Sequence, residues 1–257
     1  MSGHHLVMKS HATKIALQKI YAKLFQEFGP QYWWPAQTRF EVIVGAILTQ
    51  NTSWGNVEKA IHRLKAAGVL SERALRDIPA AKLAALIKPA GYFNVKARRL
   101  KNFSRFLFDE YQGSLKTMGK DDGPHLRQKL LHVNGIGPET ADSILLYALD
   151  KPVFVVDAYT KRFLYRHNLI GPKAEYHQIQ ELFTAHFDED VHFFQEYHAL
   201  IVVLGKNYCK PTPSCQRCPL NRIRYSLTAK CGSCHRAFLG RQERVATKNG
   251  FLCLDCR

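Results

Sequence analysis

The first 208 of the 257 residues contain no cysteine; all seven lie at position 209 or beyond. This excludes a disulfide framework for most of the chain. No apolar run approaches the ~18 residues of a membrane span, so no membrane partner is expected. The opening MSGHHLVMKS has no apolar stretch of the kind a secretory signal carries, and a cytoplasmic, reducing setting is the expectation. Strand-like alternation is almost absent before residue 230, which excludes a sheet-built body. Acidic residues are few, 21 against 37 Lys and Arg, and the formal charge is +16. Such an excess favours a polyanionic partner, most often nucleic acid, over a protein that is merely basic.

What is present reads as helix. Apolar residues recur at intervals of three and four over 12–28, ending at Gly29-Pro30. Shorter helical patterns follow at 40–48, 57–67, 71–78, 80–87 and 96–111, with Pro79 and Pro89 as punctuation. Further patterns cover 126–133, 139–149, 157–167, 176–187 and 193–204. The 46% apolar content suffices for a real core in one large or two modest domains. The chain changes character beyond 222–230, where β-prone pieces at 244–247 and 251–254 sit among cysteines and basic residues. The expected division is a helical core of residues 1–222 and a tail of 223–257.

The densest stretch is Leu131 to Arg162, LHVNGIGPETADSILLYALDKPVFVVDAYTKR. Gly135-Ile136-Gly137-Pro138 separates two helical patterns. Glycines permit positive φ and close backbone approach, and proline suits a first helical turn. Such a turn presents N–H groups and a helix dipole to a phosphate, while Ile136 plugs between the helices. An ordinary αα-hairpin is the structural alternative. Asp157 follows twenty residues past Gly137 in an apolar run; a helix N-cap is its plain role and a reacting carboxylate its chemical one. Val155 and Val156 would dry the site and raise the Asp157 pKa.

This stretch resembles the helix-hairpin-helix motif, with its following aspartate, of the endonuclease III superfamily of DNA glycosylases, and the likeness spans about residues 15–220. TrpTrpPro at 33–35, GAILTQNT at 45–52, PAGYFNVKA at 89–97 and GIGPETAD at 135–142 look most like the 3-methyladenine DNA glycosylase branch described in Helicobacter-type bacteria. The resemblance implies an all-α fold with two helical domains flanking a DNA-binding cleft. The partner it implies is double-stranded DNA containing damaged bases, bound by a monomer associated with the nucleoid. Asp157 matches the catalytic aspartate. Gly135, Ile136, Gly137, Glu139 and Thr140 match the DNA-binding hairpin, Gln50 the residue that fills the gap left by an extruded nucleotide, and Tyr92 the wedge into the opposite strand. Trp33, Trp34, Pro35 and Trp54 form the expected base pocket, with core packing as the plain reading of any single tryptophan; aromatic faces stack on bases and attract cationic purines. The pocket lysine of that branch falls at Leu200 here, a departure that bears on substrate.

Glu139 decides the expected chemistry. Bifunctional members carry a lysine here, whose amine forms a Schiff base with the sugar. Glutamate cannot, and Lys129 and Lys151 do not align with that place. The expectation is a base-excision-repair glycosylase that flips a damaged base, of the alkylated-purine kind, and hydrolyses its N-glycosidic bond without cutting the strand. A bifunctional glycosylase/AP lyase using another amine, and a non-catalytic DNA-binding module, are the alternatives.

Two cysteine groups remain. Cys209, Cys215 and Cys218 resemble the start of the loop that holds a [4Fe–4S] cluster in endonuclease III relatives, but the fourth position is Arg224. Cys231, Cys234, Cys253 and Cys256 form two Cys-x-x-Cys knuckles in the pattern of a zinc ribbon. Seven thiols cannot fill two four-cysteine sites. Either the ribbon is intact with zinc, the preferred reading, and the trio is a three-thiolate or degenerate site or holds a [4Fe–4S] cluster with a fourth ligand of another kind, or Cys231 completes the cluster and breaks the ribbon.

Overall fold

The computed structural model describes residues 11–188, 190–221, 223, 244–247 and 250–253. Twelve α-helices follow in chain order among them: α1 (His11–Phe28), α2 (Arg39–Leu48), α3 (Trp54–Ala66), α4 (Glu72–Asp77), α5 (Ala80–Leu86), α6 (Phe93–Tyr111), α7 (Leu115–Met118), α8 (Gly123–His132), α9 (Pro138–Ser143), α10 (Ala158–Arg166), α11 (Tyr176–Thr184) and α12 (Val191–Asn207). Lys88–Ala90 and Cys215–Arg217 are 3-10 turns, and Ile144–Ala148 is a π-helical turn. The body is all-α, as its periodicity predicts. In the tail, β1 (Arg244–Thr247) and β2 (Gly250–Cys253) pair antiparallel, with Arg244 opposite Cys253 and Thr247 opposite Gly250.

Local chemistry sets many of the helix starts. Thr38, Ser71, Ser114, Asp122, Asp157 and Asp190 each accept, through a side-chain oxygen, the N–H three residues on. These are N-caps that occupy an otherwise unsatisfied donor. The helix predicted over 139–149 is instead α9 followed by the π-helical turn, because Ile144 to Ala148 is widened into a buried turn. The four-residue α7 carries too little periodicity to be read from sequence.

The chain divides into two compact units. Among the described residues, one takes those up to Trp33 and those from Val156 onward; the other is continuous from Trp34 to Val155. In the continuous unit α2 is the buried axle: every residue from Phe40 to Leu48 is buried, and α3, α6, α9 and the π-helical turn pack on it. In the other unit α12 packs against α1 and α10. Tyr197 of α12 is fully buried, and its hydroxyl donates to Leu17 O at 2.8 Å. Tyr21, Phe183, Phe187 and Phe193 surround it at ring distances of 5.2, 5.3, 6.1 and 5.7 Å.

Gly205 on α12 sets how closely α10 can approach. A Cβ there would stand 2.2 Å from Cδ1 of Tyr159, on the first turn of α10. A methyl group must displace that ring. Gly205→Ala is expected to cost about 1–3 kcal/mol of unfolding free energy, as overpacking does, measured by denaturant titration.

Candidate functional site

The hairpin is built by α8, the turn from Val133 to Gly137, and α9. Arg127 of α8 holds Asp142 of α9 through two bonds, 2.6 and 3.0 Å, and the Asp142 carboxylate is fully buried. Breaking a buried pair of this kind strands a charge and costs about 3–5 kcal/mol. Ile136 is 4% exposed and plugs between the helices. Gly135 has φ +99°, and a Cβ there would stand 2.3 Å from Arg99 Cγ, so conformation and space both require glycine.

Gly137 is different. It caps α9 in an extended conformation, φ −95° and ψ 179°, open to any residue. A Cβ on it would meet nothing within 4 Å. No conformational or packing demand within the described residues explains the missing side chain, and the space left is on the outer side of the α9 N-terminus. Glu139 sits in the first turn of α9, where the helix dipole favours an acid.

Gln50 is tied to this hairpin. Its Nε2 donates to Gly135 O at 3.0 Å and to Thr140 Oγ1 at 2.8 Å, and its Oε1 accepts from Arg99 Nη1. Thr140 is 6% exposed. Tyr92 stands 72% exposed at the start of α6, in a left-handed conformation with φ +45°. A bulky residue there holds backbone strain of about 1–3 kcal/mol.

Trp34 lies on Gly45 of α2, whose absent side chain leaves 3.3 Å between a Cβ and the indole Nε1. Trp54 and Tyr147 both meet Trp34 edge-on at 5.4 Å. Trp34, Pro35 and Trp54 line a cavity of about 220 Å³, whose wall also carries Glu41 and Glu58. Glu58 accepts the Trp54 indole N–H at 2.8 Å. Glu41 is buried, with Lys65 at 2.8 Å.

In the other unit, Asp157 is the N-cap of α10. Its Oδ1 accepts the Thr160 N–H at 2.7 Å, and its Oδ2 lies 3.7 Å from Nε2 of His198 on α12. The Asp157 side chain is 13% exposed and that of His198 6%. The residue is therefore both a cap and a nearly buried carboxylate. Burial is the largest influence on its pKa and pushes it up, as the flanking valines predict. His198 and the Thr160 N–H together outweigh burial and hold it below the ordinary value, which corrects the predicted rise. His198 was missed because YHALIVV reads as a buried helical run, where one histidine leaves no periodic mark.

Trp33 belongs to this same unit, and Lys206 Nζ stands 5.2 Å from its ring centroid, a cation–π geometry. Leu200, at the position of the resembled branch's pocket lysine, is fully buried core. The lysine that α12 brings to a tryptophan is Lys206, directly after Gly205.

The cysteine loop is held by arginines of α10. Arg162 Nε donates to Cys209 O at 2.6 Å; Arg166 donates to Cys209 Sγ at 3.3 Å, Lys210 O at 2.6 Å and Pro211 O at 2.8 Å. Cys209 is buried and Cys215 exposed. Without a metal, burial, reinforced by the other two thiols, pushes the Cys218 pKa up. Among the described residues no three His, Cys, Asp or Glu side chains are grouped as metal ligands; Cys209, Cys215 and Cys218 are the residues of this loop that would hold a cluster, together with a fourth ligand. Arg224, Cys231, Cys234 and Cys256 lie outside the described residues, and Cys253 ends β2.

A capped hairpin with an open glycine and a buried aspartate at the head of a later helix define a class of DNA base-excision proteins. Residues 44–188 match the HhH-GPD superfamily of base excision DNA repair proteins, and the chain belongs to that family. A Methanocaldococcus jannaschii protein, provisionally named a DNA repair glycosylase, is 50% identical over 209 residues, 80% of this chain and 94% of its own. The structure of an H. pylori 3-methyladenine DNA glycosylase (MagIII) bound to 1,N6-ethenoadenine aligns with TM-score 0.65 and 28% identity over 76% of this chain and 97% of its own. An endonuclease III–DNA complex aligns with TM-score 0.71 at 20% identity over 83% and 95%, and shares the fold. The protein is a DNA N-glycosylase whose partner is DNA. No helix among the described residues is long and apolar enough to cross a membrane.

A carboxylate with a lowered folded pKa stabilises the fold above its unfolded pKa, and that contribution is lost as pH falls through the folded value. His198→Ala leaves burial dominant at Asp157. The Asp157 pKa is expected to rise in that variant, read as a carboxyl titration by NMR.

Proposed function

We propose that this glycosylase is monofunctional and acts on alkylated purines. The observation that carries the first half is that, among the described residues, no usable amine lies beside the hairpin. Glu139 occupies the place of the Schiff-base lysine. Lys129 donates to Tyr111 Oη and to Asp121, each at 3.3 Å, with Glu110 at 3.4 Å, and its pKa is raised, first by the Tyr111 hydrogen bond, which keeps the amine protonated. Lys96 is the described lysine whose pKa burial pushes down to about 8, toward a nucleophile's range. It is 1% exposed, however, and its Nζ donates to Leu48 O at 2.9 Å and Ala90 O at 2.7 Å. That amine ties two helix ends together and offers no path to a sugar.

The remaining chemistry is hydrolysis. Asp157, ionised at neutral pH, stabilises positive charge developing on the sugar as the base leaves, and takes a proton from the attacking water. Water becomes bonded to C1′, the N-glycosidic bond breaks, and the base departs with its electron pair. The open face at Gly137, with the α9 N-terminal N–H groups, grips a backbone phosphate without reading sequence. Gln50 and Tyr92 act in the gap and the opposite strand.

The substrate class rests on the pocket walls. Trp34 and Trp54 offer π-faces, and Glu58 adds negative charge to the same cavity, where Lys65 offsets Glu41. Purines made cationic by alkylation suit both. The structural relative, a 3-methyladenine DNA glycosylase bound to 1,N6-ethenoadenine, supports a damaged-adenine substrate. The tail tetrad Cys231, Cys234, Cys253 and Cys256 is assigned to zinc on its spacing alone. The +16 charge suits residence on the nucleoid.

Purified protein incubated with duplexes carrying single 3-methyladenine or 7-methylguanine residues is expected to release base and yield strand breaks only after alkali. A borohydride-trapped covalent adduct is the result that sinks the monofunctional reading; Asp157→Asn should lower the single-turnover rate at least ~100-fold, the scale of a lost proton-transfer group. Gly137→Ala should melt at the wild-type temperature yet bind duplex DNA roughly tenfold more weakly, about 1.4 kcal/mol, by fluorescence anisotropy.

A further inference from the structure

We propose that a basic groove between α4, α5 and α6 is a second phosphate-binding surface, taking DNA backbone that continues from the hairpin. It rests on the reading of the hairpin as a phosphate grip. The groove has a volume of about 670 Å³ and lies entirely within the Trp34–Val155 unit. One wall is a single face of α6. Asn94, Arg98, Lys101 and Arg105 recur at intervals of four, three and four, so they share that face. The stripe is about 16 Å long at 1.5 Å per helical residue. B-form DNA carries one phosphate per strand for each ~3.4 Å of axis, so the stripe can follow roughly five of them.

The opposite wall adds Arg76, whose guanidinium lies 4.2 Å over the Phe108 ring. Asp109 is the acid on the lining, and Asp77, outside it, pairs with Arg76 at 2.7 Å. Arg98 and Arg105 are exposed. Lys101 is positioned by its own bonds to Leu75 O at 3.0 Å and Arg76 O at 2.7 Å, which fix its ammonium on the groove wall. The floor is alanine, which lets a backbone come close.

Two further observations point to a ligand. Ser104 lines the groove at 2% exposure, and its Oγ has no hydrogen-bond partner among the described residues. Buried polar atoms are nearly always satisfied, and an orphan hydroxyl in a cationic groove suits a phosphate oxygen. The groove also runs into the hairpin: Asn102 lines it and donates through Nδ2 to Asn134 O at 2.9 Å, the residue before Gly135. That continuity favours the DNA strand over an acidic peptide as the occupant.

The test is the salt dependence of binding to a lesion-free 25-base-pair duplex, by anisotropy between 50 and 200 mM NaCl. Arg98→Ala/Arg105→Ala should make the slope of log K against log salt shallower by about 1.8, the change for two lost phosphate contacts. Arg98→Lys/Arg105→Lys should restore most of it. A slope equal to wild type in the alanine pair overturns the proposal. So does a pair that loses affinity for a polyglutamate peptide while its DNA slope is unchanged, which would make the groove a peptide site. Gly137→Ala separates the two readings: if it binds DNA normally while the arginine pair alters the slope, the hairpin grip fails and the groove stands.

Discussion

The missing side chain at Gly205 governs the geometry of the Asp157 unit. Because α12 is bare at that point, the Tyr159 ring lies directly against it, and α10 sits closer than any other residue would permit. The first turn of α10 is thereby fixed, and Asp157 is the cap of that turn. Seven residues back along α12, two helical turns, stands His198, near enough to share the carboxylate's charge. One residue later than the glycine is Lys206, which reaches Trp33. A single close approach thus coordinates the carboxylate, its histidine and an aromatic wall, on a helix anchored elsewhere by Tyr197 in the core.

The other unit solves a different problem, how to hold a tight glycine turn rigid while leaving its outer side bare. The solution is to load the inner side. Arg127 grips Asp142 beneath the hairpin, and Ile136 fills the space between its helices. Arg99 closes over Gly135, while Gln50 reaches from the end of α2 to a carbonyl and a hydroxyl of the hairpin. Lys96 performs the same service one layer in, joining the last turn of α2 to the 3-10 turn before Tyr92. Polar side chains here replace what longer helices would provide through packing, and buried networks of this kind fix one arrangement when fully satisfied.

Much of this could be read from the residues. The helical periods, the hairpin from GIGPET, and the dual candidacy of Asp157 as cap and carboxylate all follow from local rules that the structure obeys. What stayed hidden depends on distance in sequence. His198 and Asp157 are 41 positions apart in a stretch whose pattern says only buried helix. Gln50 matches a DNA-facing position by resemblance, yet its partners are 85 and 90 residues away. Lys96 looks like any helix-surface lysine until packing buries it. Lys206 reaches the Trp33 ring, a pairing that motif spacing alone does not mark, because helix phase decides which side chain returns to a given ring. The tail's β-prone pieces were legible as strands, since alternation is local.

The widened turn from Ile144 to Ala148 bears on that same question of phase. A π-helical turn carries more residues per revolution than an α-turn. Side chains beyond it are therefore rotated about the axis relative to those before it, although the axis itself runs on. Thr140, ahead of the turn, looks toward Gln50, and Tyr147, within it, meets the indole of Trp34. One short segment thus serves two audiences that an unbroken α-helix of the same length would address differently. The Thr140 contact to Gln50 and the Tyr147 contact to Trp34 are thus set relative to one another by this widened turn.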